Sequence, residues 1–256
     1  MSNKASAFQF YPEWRISLVT AVLLPFLVFL GFWQLERAQE KAALARAWEQ
    51  RSHEPPAPVS QLLDQSADAL SFKPVSIAGE YVQDAIFLID NRMHKRQFGY
   101  EVAALFKVEG ADLSVLVNRG WLVGDPARQS LPEVPHVSGF QSLTGHVYAP
   151  SDKPYLLAEQ TFAPGWPKII QAVEMEKISE AVQNEVSGDL FPYLIRLDSD
   201  QTSALTVDWK VINVSPEKHK AYAFQWFAMA IFLSIFYLLR STNLWQLLPF
   251  TKGDQN

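Results

Sequence analysis

The 256-residue chain has no cysteine. That absence removes disulfides, thiolate catalysis, zinc-thiolate sites and iron-sulfur clusters together, while remaining compatible with any compartment. A long basic run is also missing, and the formal net charge is −5. The chain therefore lacks the phosphate-neutralising surface that nucleic-acid binding requires, and no nucleic-acid partner is expected. No G-x-S-x-G elbow, P-loop, G-x-G-x-x-G or H-E-x-x-H is present, so nothing names a nucleophile or a catalytic base. The chain reads as a protein that is not an enzyme. Internal repeats and low-complexity tracts are absent as well.

Charge is missing from two long stretches. Ile16 to Leu35 is twenty residues without a charged side chain, and Ala221 to Leu239 is nineteen more. At about 1.5 Å rise per residue, either run as a helix crosses a hydrocarbon core roughly 30 Å thick. Both are expected to be transmembrane helices, with membrane lipid as their surroundings. A cleaved signal peptide is the other reading of the first run, since small-x-small patterns at Ala43 to Ala45 and Ala45 to Ala47 would put a mature N-terminus near residue 46 or 48. A signal core is only about 7 to 15 residues long, however, and Glu36, Arg37, Glu40 and Lys41 separate this run from those alanines, which favours an uncleaved anchor. Between Gly31 and Pro55 there is neither glycine nor proline, so the first helix should continue to about residue 51 before "HEPPAP" stops it. Pro25 should kink it.

What lies between the runs is rich in β-branched and aromatic residues. Segments 72–82, 85–90, 99–108, 113–122, 140–148 and 190–197 read as strands, separated in places by turn signals such as "EGAD" and "GDPARQ". "VEMEKISEAVQNE" (173–185) has helical spacing at Met175, Ile178, Ala181 and Val182. The expected architecture is a membrane protein with two transmembrane α-helices flanking a β-rich extramembrane domain, α+β in class. Its sheet should be antiparallel and barrel-like, closed or nearly closed, with one packed helix. The divisions are an N-terminal tail at 1–15, the first span at 16–35, the domain at 52–218, the second span at 219–239 and a C-terminal tail at 240–256. Positive charge near the membrane is more abundant on the domain side, but the connection exceeds the roughly 60 residues over which the positive-inside rule holds. Charge counting leaves orientation open.

The mouth of the second run is "HKAYAFQWF" (219–227). On a helix, His219, Tyr222 and Trp226 share a face and Gln225 points elsewhere. If the two spans are antiparallel neighbours, Leu35 lies near Ala221 and Gly31 near Gln225. Gly31, lacking a Cβ, then leaves room for a second backbone or a flat ligand. A neutral imidazole is a good axial ligand for haem iron, and Lys218, Lys220, Arg37 and Lys41 lie at the depth where propionates would need cations. Ordinary interfacial anchoring, an aromatic belt with snorkelling lysines, accounts for the same residues without a ligand. His53, His94, His136 and His146 show no metal-ligand spacing and read as solvated or incidental. "NRGW" (118–121) reads as a bulge relieved by Gly120, or as a docking surface carrying Arg119.

Five fragments occur in order: "GFWQLERAQEK" (31–41), "AGEYV" (78–82), "FGYEV" (98–102), "LVNRGW" (116–121) and "HKAYAFQWFAMA" (219–230). Together they resemble the Surfeit locus protein 1 family across almost the whole chain. The resemblance implies an assembly factor for haem-copper cytochrome c oxidase that binds haem a and aids its delivery to the catalytic subunit. His219 would be the iron's axial ligand, with Tyr222, Trp226, Gly31 and Trp33 beside the macrocycle. It further implies a bacterial inner-membrane location, a periplasmic domain, cytoplasmic termini, and as partners the oxidase catalytic subunit and haem a synthase. A cofactor-free scaffold that holds oxidase subunits is the alternative.

Overall fold

The computed structural model describes residues 8–149, 159–186, 188–211 and 214–244. In chain order the elements are α1 (Trp14–Arg51), β1 (Ala57–Pro58), α2 (Ala67–Leu70), β2 (Pro74–His94), β3 (Gln97–Val108), β4 (Leu113–Val123), β5 (Gln141–Tyr148), β6 (Lys168–Ile170), α3 (Met175–Val182), β7 (Asp189–Leu197) and α4 (Pro216–Ser241). They fall into two compact units, Met1–Arg46 with Val211–Asn256, and Ala47–Lys210.

The first unit is a helix pair. Both α1 and α4 are long and apolar enough to cross a membrane. α1 is continuous through Pro25, although proline's missing N–H removes one backbone hydrogen bond there. Between lipid-facing helices no hydrophobic force favours association, so close packing of small side chains and polar cross-links must supply it. The buried residues meet that need: Thr20, Leu27, Gly31 and Ala38 on α1, and Ala223, Ala230 and Ser241 on α4. Steps of four, seven and eleven keep each set on one stripe. Ser17 Oγ lies 2.9 Å from Tyr237 OH, and Gln34 Oε1 lies 2.8 Å from His219 Nδ1, which makes the helices antiparallel. The two cross-links are about 26 Å apart along α1 at 1.5 Å per residue, one near each edge of a hydrocarbon core. Beyond the Ser17 end, Arg240 meets Glu13 at 3.5 Å, and the Tyr11 N–H donates to the Ser241 carbonyl at 2.6 Å.

The second unit is a sheet that returns upon itself. Its order is β2-β3-β4-β7-β5, and β5 pairs again with β2. β2 serves both ends of this ring because its first part, Pro74 to Gly79, pairs with β5, and its later part with β3. Register shifts between Tyr81 and Ile86 and between Ile89 and Arg92 bend it as bulges do. The two strands expected at 72–82 and 85–90 are therefore one. A second departure is the β4–β7 pair, which is parallel where an antiparallel sheet was expected. Residues 124–188 carry the chain back before β7 begins, which is the long crossover that a parallel pair needs. The short strands β1 and β6 also add to β2 in parallel.

Alternation sorts the ring's side chains into two layers. Val75, Ile77, Phe106, Val115, Val117, Leu143, Val147, Ile195 and Leu197 form one buried cluster. All five ring strands contribute to it, so it fills the inside. The alternate residues Phe87, Ile89, Ala103, Leu105, Leu116 and Leu194 pack outward under Ile170 and under Ile178 and Val182 of α3. β4 is buried on both faces from Leu113 to Gly120, and its near-continuous apolar run follows from that.

Candidate functional site

Gln34 on α1 and His219 on α4 face each other at the charged ends of the apolar runs, Gln34 two residues before Glu36 and His219 between Lys218 and Lys220. Gln34 Oε1 can only accept a hydrogen bond, so at 2.8 Å it fixes the proton on His219 Nδ1. The neutral ring then carries its lone pair on Nε2. That nitrogen is buried and has no hydrogen-bond partner. An imidazole oriented through one nitrogen, with the other left unprotonated, is the arrangement that metal-binding histidines adopt. The residues thus fit an axial ligand in tautomer and orientation. Protein atoms enclose Nε2.

Around this pair the sequence-predicted residues separate into groups. Tyr222 is 51% exposed and Trp33 40% exposed, while Trp226 is half-buried. Arg37 sits with its guanidinium carbon 5.8 Å from the centre of the Trp33 ring and pairs with Glu40 at 2.7 Å. Lys218 and Lys220 are exposed and Lys41 is half-buried. Gly31 does what its missing Cβ allows, but for another partner than expected. A Cβ there would lie 2.5 Å from Phe227 Cε1, so the space belongs to the Phe227 ring, neither to Gln225 nor to an open slot. Phe227 in turn meets Phe32 edge-on with centroids 5.3 Å apart. Sequence reasoning missed Gln34 because a neutral amide within an apolar run carries no motif; its position opposite a rim histidine was the available signal.

Within the second unit, two histidines that read as incidental are engaged. His146 Nδ1 lies 2.9 Å from Asp198 Oδ1, and its ring packs on Trp48 with centroids 4.9 Å apart. Burial works to raise the Asp198 carboxyl, but hydrogen bonds from His146 and Thr144, with the His146 charge, outweigh it and hold it below the ordinary value. His94 packs on Trp121 and lies 3.5 Å from Asp208. The "NRGW" segment contains the expected bulge: the register with β3 shifts between Val102 and Ala103, and Gly120 has φ +116°, where a Cβ would strike the Thr206 carbonyl. Arg119 is not a docking residue. It is 4% exposed, and it donates from Nε to the Ser203 carbonyl at 2.9 Å and from Nη1 to the Pro135 carbonyl at 3.0 Å. Burial lowers its pKa, opposed by Tyr81. Among the described residues, no group of three or more histidine, aspartate or glutamate side chains is placed to hold a bare metal ion.

Two apolar helices, one at each end of the chain, and a closed sheet domain between them in sequence define a membrane protein with an extramembrane β domain. The SURF1 family matches residues 21–231. A SURF1-like protein of Rickettsia bellii is 27% identical over 233 residues, covering 87% of this chain and 89% of that one. An uncharacterized SURF1-like protein of Mycobacterium tuberculosis is 24% identical over 234 residues, covering 90% and 83%. A SURF1-like protein of Rickettsia felis is 25% identical over 236 residues, covering 90% and 98%. The chain belongs to the SURF1 family.

Proposed function

We propose that this protein is an assembly factor for haem-copper cytochrome c oxidase, which holds haem a between synthesis and insertion into the catalytic subunit and performs no catalytic turnover. Its setting is the bacterial inner membrane, with the sheet domain in the periplasm and both termini in the cytoplasm. Haem a synthase and the oxidase catalytic subunit are its partners. Family membership supports the assembly role. The observation that carries the haem reading is the orientation of His219 by Gln34, with Nε2 buried and unpartnered.

Haem a, if bound, would supply an iron that takes a nitrogen ligand, and His219 would be the residue to hold it. The chain's residues provide the rest. His219 presents the nitrogen, and Gln34 holds the ring and keeps the proton on Nδ1. Tyr222, Trp226 and Trp33 offer aromatic surface. Arg37, Lys41, Lys218 and Lys220 offer cations to the propionates, for which Arg37 must leave Glu40.

The test is absorption spectroscopy of the full chain purified from cells that make haem a. Wild type should carry haem, His219→Ala should lose it, and Gln34→Leu should retain less of it with a shifted spectrum. Equal haem content and identical spectra in all three would reject the ligand role. The filled space at Gly31 favours the second reading, a scaffold that holds oxidase subunits without a cofactor. In that case wild type carries no haem, and still co-purifies with an oxidase subunit.

A further inference from the structure

On the outward face of the ring, beyond the apolar layer under α3, the five strands each contribute one polar or aromatic residue to a single cluster. Arg196 of β7 follows Leu194 on that face and is the register partner of Asn118 on β4 and of His146 on β5. Its guanidinium carbon lies 3.7 Å from the centre of the Tyr148 ring of β5 and 5.0 Å from that of Trp209. Trp209 is itself fixed by a 2.7 Å hydrogen bond from its indole N–H to the Leu197 carbonyl. Glu101 of β3 is the neighbouring carboxylate. One of its oxygens accepts from Asn118 Nδ2 at 2.7 Å, and the other lies 3.7 Å from Arg92 Nε of β2, beyond hydrogen-bond reach.

Glu101 is thus the carboxylate beside Arg92 and acts electrostatically on Arg196, so two guanidinium groups stand near a single carboxylate. The Nε–H of Arg92 and the Nε–H of Arg196 are both buried without a hydrogen-bond partner. An unmade bond to a charged donor costs the desolvation of that group, and burial holds Arg196 below the usual arginine pKa against the opposing influence of Tyr148 and Glu101. A guanidinium edge offers parallel N–H donors that match two oxygens of a planar or tetrahedral oxyanion. The cluster is also reachable, since 42% of the Arg92 side chain and 18% of that of Glu101 are exposed. We propose that Arg92 and Arg196 form a binding site for an oxyanion, a carboxylate or phosphate group, with Tyr148 and Trp209 holding the Arg196 guanidinium in place. This site lies wholly within the sheet unit and is independent of His219.

Calorimetric titration of the full chain in detergent with sodium phosphate, and separately with sodium citrate, tests this against sodium chloride of matched ionic strength. Phosphate alone, or citrate alone, identifies which oxyanion geometry the site takes. Arg196→Gln and Arg92→Gln should each weaken binding about tenfold or more, the loss of a charge-assisted hydrogen bond; Arg92, being partly exposed, supplies the reading should Arg196→Gln fail to fold. Glu101→Gln keeps an acceptor for Asn118 but removes the competing charge, and should tighten binding. Lys107→Gln, an exposed lysine elsewhere on β3, should leave it unchanged. The proposal is overturned if neither anion binds wild type, if Glu101→Gln fails to tighten binding, or if Arg92→Gln and Arg196→Gln both bind as wild type does.

Discussion

Gly31 packs directly against the Phe227 ring, and replacing it by alanine tests that contact. An added Cβ would meet Phe227 Cε1 at 2.5 Å, Cζ at 2.6 Å and Cδ1 at 2.9 Å, closer than non-bonded carbons approach, so the ring must move. Phe227 is half-buried, and its edge contact with Phe32 at 5.3 Å is the kind worth about 0.5–1.5 kcal/mol. Overpacking of this sort costs about 1–3 kcal/mol, while alanine in a helix gains about 0.5–1 kcal/mol over glycine. Gly31→Ala should therefore destabilise the helix pair by up to about 2.5 kcal/mol. In a Phe227→Ala background the obstruction is gone, and the same substitution should stabilise by about 0.5–1 kcal/mol. Unfolding of full-length protein in a mild detergent, followed for the four members of this cycle, gives the answer in the reversal of sign. If Gly31→Ala stabilises the protein in both backgrounds, the ring yields without cost and the close packing described for this seam is wrong.

Other substitutions probe the rest of the molecule. The depressed Asp198 carboxyl takes up a proton less readily when folded than when unfolded, where its value is about 3.9. Its contribution to stability is thus present above about pH 4 and is lost as pH falls through the lower folded value. Asp198→Asn should narrow the stability gap to wild type as pH is lowered through that range in fluorescence-monitored urea titrations; parallel curves for the two proteins would refute the pairing with His146. At the other rim of the helix pair, Ser17→Ala and Tyr237→Phe should each cost about 0.6 kcal/mol, as interhelical hydrogen bonds in membranes do, and the double variant should cost no more than either alone. Additive losses in that cycle would show that the two hydroxyls do not interact.

How far the chain could be read in advance depended on how local the determining physics is. The expected spans at 16–35 and 219–239 appear within α1 and α4 because uncharged runs of that length announce themselves by composition. The strand segments were legible from their β-branched and aromatic content, as was α3 from its spacing. Register shifts are less visible, since the few extra residues that β2 carries between Tyr81 and Ile86 leave no compositional mark, and so β2 was divided in two. The partners of the site residues were harder still: Gln34 opposite His219 and Phe227 against Gly31 are pairings between positions roughly two hundred residues apart, decided by the rotation of two helices about their own axes.

Composition and periodicity by themselves determined that this protein has two apolar helices with a sheet-rich domain between them in sequence, because hydrophobic burial and backbone preference act over a few neighbouring residues. The tertiary structure alone decided that β7 enters the ring parallel to β4, that His219 is oriented by an amide, that Arg119 is buried, and that Arg92 approaches Glu101 while Arg196 pairs in register with Asn118. Those outcomes follow from strand order and side-chain packing between distant segments, which no window of the sequence contains.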